Sequence, residues 1–406
     1  MTVTEQAEIA IAGGGTAGAA LAIHLAAAGR DVVLFERRPV PRWRAAGVYT
    51  SPRTRGWLGA LGLDAATLDA VLQPIRAIDV GTADRDACRL EHDPPYASGV
   101  DRVALDQALL ERARAAGVCV HEGSTVREVG VQGGRPRLEV ADPDGSRREW
   151  RARTVVGADG PRSIVARAVG VDRGLPWFRR AGLTVHRADP HAPPPGDPAI
   201  ATMTLGDGWY CGIAPVPAGR VNIGVVVPAD TLKRELVASR PTALVQRIVR
   251  ELPGPAGPSW RDGPDTDELA IALPLAHRPR RLAGPGWLLV GDAAGFLDPL
   301  SGEGIQRALV SAALAADALT ARGRGAGSSA SATERYHRRM RARYRAKDLL
   351  SWLLQVFFTR PELVRYALAR LERRPDLART FNAVLTDRTR ATRALDPRFL
   401  ARVLAP

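Results

Sequence analysis

Cysteine is scarce here and badly placed for pairing. Cys88, Cys119 and Cys211 are odd in number and far apart, so they form neither a disulfide framework nor a metal-binding spacing and point to a reducing cytoplasm. The seven histidines include no His-x-x-x-His pair, and no structural or catalytic metal is expected. No stretch of about 18 uninterrupted apolar residues exists, which argues against a membrane-spanning helix. The apolar N-terminal segment has no basic region before it, so a signal peptide is not expected either. Lysine is almost missing: Lys233 and Lys347 are the only two. The net charge of +14 is therefore an arginine charge. Most of it lies beyond Ser331, where 18 arginines and lysines face 7 acids. Aromatic residues are not interleaved with basic strands there, so nucleic acid is not an expected partner. A solvated helical face, or attraction to a carrier protein or membrane surface, accounts for the excess.

What is present is a soluble globular composition, 45% apolar and 25% charged, in a chain long enough for two or three modules. The most informative stretch is Glu8–Arg37, EIAIAGGGTAGAALAIHLAAAGRDVVLFER. It reads as strand, glycine turn, small-residue helix, second strand and acid, the order of a dinucleotide-binding βαβ unit. Gly13 permits the tight turn, Gly15 lets backbone approach a pyrophosphate, and Gly18 lets helix pack on strand. Glu36 stands where an acid would accept from ribose hydroxyls, roughly 20 residues past the turn. These residues do not by themselves distinguish one dinucleotide from another.

Further along, the pattern predicts a helix from Asp101 to Ala116, then alternating strands at Thr125–Val131, Arg137–Val140 and Trp150–Val156. From Val171 to Ala283, proline-rich turns and strands such as Ile200–Leu205, Trp209–Ile213 and Val221–Val227 suggest a separate antiparallel sheet. The parallel pattern resumes at Gly286–Asp292 and runs into a small-residue helix, Glu303–Thr320. Ala321–Thr333 reads as a flexible linker, and the remainder as helices.

Four stretches then align: the Gly13–Glu36 unit, Arg102 heading its helix, GADG at Gly157–Gly160, and GDAAGFLDPLSGEGI at Gly291–Ile305. In this order and spacing they resemble the p-hydroxybenzoate hydroxylase-like flavoprotein superfamily. Gly295 after GDAA and the Gly-Glu-Gly-Ile-Gln helix start resemble its geranylgeranyl reductase-like branch, as do Tyr336, Phe381–Leu385 and the Pro397–Leu400 segment of the tail. The resemblance implies an α/β fold with a Rossmann-like FAD-binding domain, an antiparallel-sheet substrate domain and a helical C-terminal region. The corresponding segments are 1–50, 98–172 and 282–325; 51–97 and 173–281; and 326–406. It implies FAD contacts at Gly13, Gly15, Thr16, Ala17, Gly18, Glu36, Arg37, Arg44, Ala46, Gly47, Arg102, Val126, Asp159, Gly160, Asp292, Pro299, Gly302, Gly304 and Ile305. A helix N-terminus at Gly302–Ile305 suits negative charge developing on a flavin, and Arg102 would neutralise pyrophosphate.

The chain also departs from the branch. Its Pro41–Gly47 loop, PRWRAAG, carries Arg44 and Ala46 where lysine and cysteine are common. The Gly208–Val225 stretch keeps Trp209, Tyr210 and Pro215, candidate substrate-pocket residues, but neither the reductase nor the halogenase motif. With Lys233 expected on a helix of the substrate sheet, no catalytic lysine is foreseen for halogenation. The resulting expectation is a monooxygenase acting through a flavin C4a-hydroperoxide on a hydrophobic small molecule of secondary metabolism. The alternatives are an alkene reductase and a redox-silent flavoprotein. NADPH or NADH would bind transiently, or a separate reductase would supply electrons, since no second glycine-rich nucleotide unit is present. Asp348–Phe358, DLLSWLLQVFF, is either a helix packed on the flavin domain or a lipophilic contact surface.

Overall fold

Strand Thr4–Ala12 runs between Arg147–Gly157 and Val32–Glu36, parallel to both. Ile9, Ala10, Ile11 and Ala12 are all buried, as a strand covered by helices on both faces requires. The computed structural model describes residues 4–45, 47–83, 85–175, 179–238, 240–253, 260–261, 263–273, 275–321, 329–358 and 360–404. Within these, the sheet order is Ala283–Gly284, Trp287–Leu289, Arg147–Gly157, Thr4–Ala12, Val32–Glu36 and Cys119–Glu122. An antiparallel meander of Thr125–Gln132 and Arg135–Ala141 hangs from Arg147–Gly157.

Small residues let the covering helices lie close. Helix Thr16–Ala27 packs against both Arg102–Ala115 and Gly304–Thr320. A Cβ added at Gly291, whose φ is +59°, would come within 2.6 Å of the Ala17 side chain.

The second sheet runs Ala270–Ala272, Arg180–Ala188, Arg220–Pro228, Tyr210–Val216, Ala199–Leu205, Leu72–Thr82, Ala97–Val100 and Tyr49–Thr50, with Arg85–Glu91 beside Leu72–Thr82. It departs from the purely antiparallel expectation at one place: Ala199–Leu205 pairs parallel with Leu72–Thr82. The two strands belong to separate visits of the chain, and the long excursion between them is the crossover that a parallel pair needs. Helices Ala229–Ala238 and Pro241–Glu251 cover one face, through Leu183, Val225, Leu232, Leu244 and Ile248. On the other face, Leu205, Tyr210 and Val226 meet Val364, Leu368, Leu371 and Leu377 of the C-terminal helices.

Those helices are Ser329–Phe357, Pro361–Arg373, Pro375–Leu385 and Pro397–Leu404. Pro361 and Pro375 sit in the first turn of theirs, where a missing N–H costs nothing. The expected linker is corrected in part: the chain is helical from Ser329, while 322–328 fall outside the described residues. The helix is anchored early, because the buried Tyr336 hydroxyl donates to the Leu289 carbonyl at 2.6 Å.

Candidate active site

The first strand ends in a turn that only glycines can make. Gly13 has φ +107°, and a Cβ there would lie 2.5 Å from the Ala158 carbonyl oxygen. A Cβ on Gly18 would run into the Gly13 carbonyl. No side chain caps the Thr16–Ala27 helix, so its first N–H groups and positive dipole are available to an anion. Glu36 faces this turn from the next strand: its Oε2 accepts from Gly14 N at 2.8 Å and its Oε1 from Arg38 N at 3.1 Å. Arg37 is exposed beside it, and Val126 is half-buried on the meander, paired with Val140.

Two arginines converge on one carboxylate above the turn. Arg44 Nη2 lies 2.8 Å from Asp106 Oδ2, and Arg102 Nη2 lies 3.7 Å from Oδ1. Thr16 donates its hydroxyl to Asp106 at 3.0 Å and accepts from Arg102 at 3.3 Å. Burial pushes the Asp106 carboxyl up, but Arg102 and Arg44 outweigh it and leave its pKa below the ordinary value. Asp106 in turn raises Arg44. A Cβ on Gly15 would sit 2.7 Å from Arg44 Nη2, so this guanidinium lies directly over the phosphate turn. Arg102 Nε is buried without a hydrogen-bond partner. Two cations on one anion, an orphaned donor and a side-chain-free glycine turn beneath Arg44 fit a pyrophosphate. Sequence reasoning named Arg44, Arg102 and Thr16 but missed Asp106, although its i, i+4 spacing from Arg102 was readable.

The GADG turn and the Gly291–Ile305 segment meet the same cleft. The Asp159 backbone would be 2.8 Å from a Gly13 Cβ. Asp159 Oδ2 accepts from Ile164 N at 2.7 Å while Oδ1 is buried without a partner, and burial raises its pKa. Gly160 follows at φ +84°. Burial likewise raises Asp292, opposed first by Arg102 and then by His277, Arg307 and Arg44. Pro299 opens a short turn capped by Asp298, which accepts from Leu300 N at 2.9 Å. Gly302 follows at φ +61°, then Gly304 and the buried Ile305 begin the long helix. Ala46 is outside the described residues; Gly47 follows it in the crossing loop, whose Trp43 lies 4.2 Å, ring to ring, from His186 of the second sheet.

The substrate-side candidates separate. Tyr210 is buried and donates its hydroxyl to Asp298, so it reaches the Pro299 loop. Trp209 instead packs against the apolar cluster on the helix-covered side of the sheet, and Pro215 lies by its carbonyl against Gly99. Two further groups went unforeseen. Tyr49 Oη lies 2.8 Å from His92 Nε2, and its ring would be 2.5 Å from a Cβ on Gly302. His92 Nδ1 is 3.1 Å from Asn382 Nδ2, which also donates to the Glu91 carbonyl. Burial, then Arg388, pushes His92 down to about 4. Lys233 is exposed on the Ala229–Ala238 helix, as expected, beside Asp230 at 3.6 Å. Lys347, however, is buried between Glu303, at the start of the Gly304–Thr320 helix, and Asp387, 2.7 Å away.

Residues 6–350 match the family described as FAD binding domain. Menaquinone reductase of Mycolicibacterium smegmatis is 30% identical over 78% of this chain and 77% of its own length. Digeranylgeranylglycerophospholipid reductase 2 of Methanothermobacter thermautotrophicus is 29% identical over 76% and 77%. The solved flavin-dependent brominase Bmp2 superposes with a TM-score of 0.80 at 19% identity, covering 94% of this chain and 93% of that one.

Proposed function

Since this chain belongs to the FAD-binding domain family of flavoprotein oxidoreductases, we propose that it reduces a carbon–carbon double bond in a hydrophobic small molecule. Such a reduction adds a hydride to one carbon and a proton to the other. FAD, when bound and reduced by the electron donor, would supply the hydride; the chain must supply the proton.

The Tyr49–His92 pair carries this reading. Asn382 Nδ2 is a donor, so the His92 nitrogen it meets, Nδ1, is the acceptor and the ring proton sits on Nε2. That proton is shared with Tyr49 Oη, which leaves the hydroxyl hydrogen of Tyr49 free for a substrate. Burial raises the Tyr49 pKa, so the hydroxyl stays protonated at neutral pH. Its contact with Gly302 places it beside the helix start that would face the flavin. Arg44, Arg102 and Thr16 would hold the pyrophosphate, Glu36 the adenosine ribose and Asp292 the ribityl chain. The reductase names of the relatives near 30% identity support the same direction.

Oxygen transfer is the second reading. Phe296 and Leu300, flanking Asp298, pack into the apolar cluster of the second sheet, and a water-poor flavin face is what an oxygenating flavin needs. Ala46, where the reductase-like branch commonly has cysteine, favours it too. In either case NADPH or NADH, or a separate reductase, delivers the electrons.

Anaerobic turnover of reduced holoenzyme with a prenylated quinone tests the choice. Once the products are reoxidised in air to convert any ring quinol back to quinone, a quinone still heavier by two hydrogens, formed without oxygen and lost in Tyr49→Phe, supports reduction of the double bond. A product heavier by one oxygen and formed only in air sinks it. Turnover with a redox-dead FAD analogue would sink both readings and leave a redox-silent flavoprotein.

A further inference from the structure

At the end of the Ser329–Phe357 helix, large apolar side chains face solvent at the spacing that normally lines a core. Leu349 is 48% exposed, Trp352 44%, Leu353 37% and Val356 47%. They occupy i, i+3, i+4 and i+7, one helix face. Leu363 at the start of the next helix is 45% exposed, and Leu400 on the last helix 37%. Elsewhere among the described residues, large exposed apolar side chains are few and scattered, at Val40, Leu236, Val237 and Ile271. Scattered singles are ordinary, whereas a contiguous stripe marks a contact surface.

The inner side of this helix end is already used. Gln355 is buried, and Phe357 packs with Val364 and Leu368 in the cluster that also contains Tyr210, Phe296 and Leu300. The stripe is therefore a second apolar face, not a displaced core. Arg341 and Arg345, eight and four residues before Leu349, extend the same face as exposed cations, and Arg360 is exposed just past its end. Apolar residues including a tryptophan, bordered by arginines on a helix face, match the composition of a helix that lies in a membrane interface. Among the described residues no helix is long and apolar enough to cross a membrane, so the geometry allows lying on a bilayer rather than spanning it.

We infer that this face docks on an anionic lipid bilayer. Leu349, Trp352, Leu353 and Val356 enter the headgroup boundary while Arg341, Arg345 and Arg360 meet lipid phosphates. The arginine excess of the whole C-terminal region draws the protein to that surface over roughly a Debye length, about 8 Å at physiological salt. The inner side of the docked element bounds the cluster next to the Pro299 loop, so a lipid-soluble substrate would arrive from the membrane side. That last link rests on the hydrophobic substrate proposed above; the docking itself does not.

Vesicle flotation of the FAD-bound protein tests it without turnover, so failure of the docking and failure of the reductase reading are told apart. Vesicles of phosphatidylcholine with phosphatidylglycerol are compared with phosphatidylcholine alone. A triple variant, Leu349→Gln, Trp352→Gln and Leu353→Gln, keeps the net charge. Val237→Gln, at a 91% exposed position on another helix, is the control. The expected result is wild-type binding to the phosphatidylglycerol vesicles, weakened by salt, with the triple variant at least about tenfold weaker and the control unchanged. FAD absorbance reports folding of each variant. If the triple variant does not fold, bromolipid quenching of wild-type fluorescence is compared with Trp352→Phe, and a loss of quenching on substitution supports the insertion. Equal binding by a folded triple variant overturns the proposal, as does absence of wild-type binding. A wild-type dimer that the triple variant dissociates, with no vesicle binding, overturns it in favour of a second copy of the chain.

Discussion

Tyr210 donates its hydroxyl hydrogen to Asp298, so the second sheet and the Pro299 loop share a bond between a buried tyrosine and a half-buried carboxylate. Burial holds both groups up in pKa, and each satisfies the other. Tyr210→Phe leaves the half-buried Asp298 carboxylate short of a donor. The expected cost is about 1–3 kcal/mol of stability, seen as a lower urea midpoint. Looser FAD retention should accompany it, because the loop loses its tie to the sheet.

Asp106→Asn keeps the shape of the Arg44–Arg102–Thr16 cluster but removes its anion. Hydrogen bonds to charged groups are worth about 1.5–3 kcal/mol each, and Arg44 loses the contact that positions it over Gly15. FAD affinity should fall by roughly ten- to a hundredfold, measured by flavin fluorescence on titration into apoprotein. Unchanged affinity would mean that the two arginines find their places without Asp106.

His92 makes stability depend on pH with a definite sign. Its folded-state value is about 4, below the ordinary 6.5. Between those values the unfolded chain takes up a proton that the folded chain refuses. The contribution is complete above about pH 6.5 and is lost as pH falls toward 4. Burial lowers His24, His121, His186, His277 and His337 in the same direction. Denaturation midpoints should therefore decline from pH 7 to pH 4.5, and His92→Gln should make that decline shallower.

Lys347 is held between Glu303 and Asp387, whose side chain is 1% exposed. Asp387 also accepts from Gln306 and Arg343, and Gln306 accepts from Ser51. Lys347→Met removes a cation from this buried network and should cost about 3–5 kcal/mol. A substitution of exposed Lys233 by Met should move the midpoint hardly at all.

The nucleotide unit was legible because its chemistry is local. The Gly13–Gly18 turn, Glu36 and the Gly291–Ile305 segment each carry their meaning within a few residues. Arg102 and Asp106 were almost as readable, one helical turn apart. His92, Asn382, Lys347 and Asp387 were not, since none has a partner nearby in sequence: His92 meets Tyr49 and Asn382, and Lys347 meets Glu303. The same limit separated Trp209 from Tyr210. Alternation along a strand sends neighbours to opposite faces, but only the packing of helices shows which face meets the Pro299 loop. The parallel pair of Leu72–Thr82 with Ala199–Leu205 was hidden for a related reason, since strand direction depends on which distant strand becomes the neighbour.

The central position of Thr4–Ala12 has a consequence for how the protein is made. Its Arg147–Gly157 neighbour lies some 145 positions later in register, and Trp287–Leu289 joins that side of the sheet only after the entire second sheet has been synthesised. A nascent chain emerging from the ribosome thus carries this strand without its Arg147–Gly157 neighbour until more than a third of the 406 residues have been made. Pairings this distant fold slowly and expose the chain to aggregation meanwhile. Recombinant yield should accordingly respond to slower synthesis at lower temperature and to added chaperones.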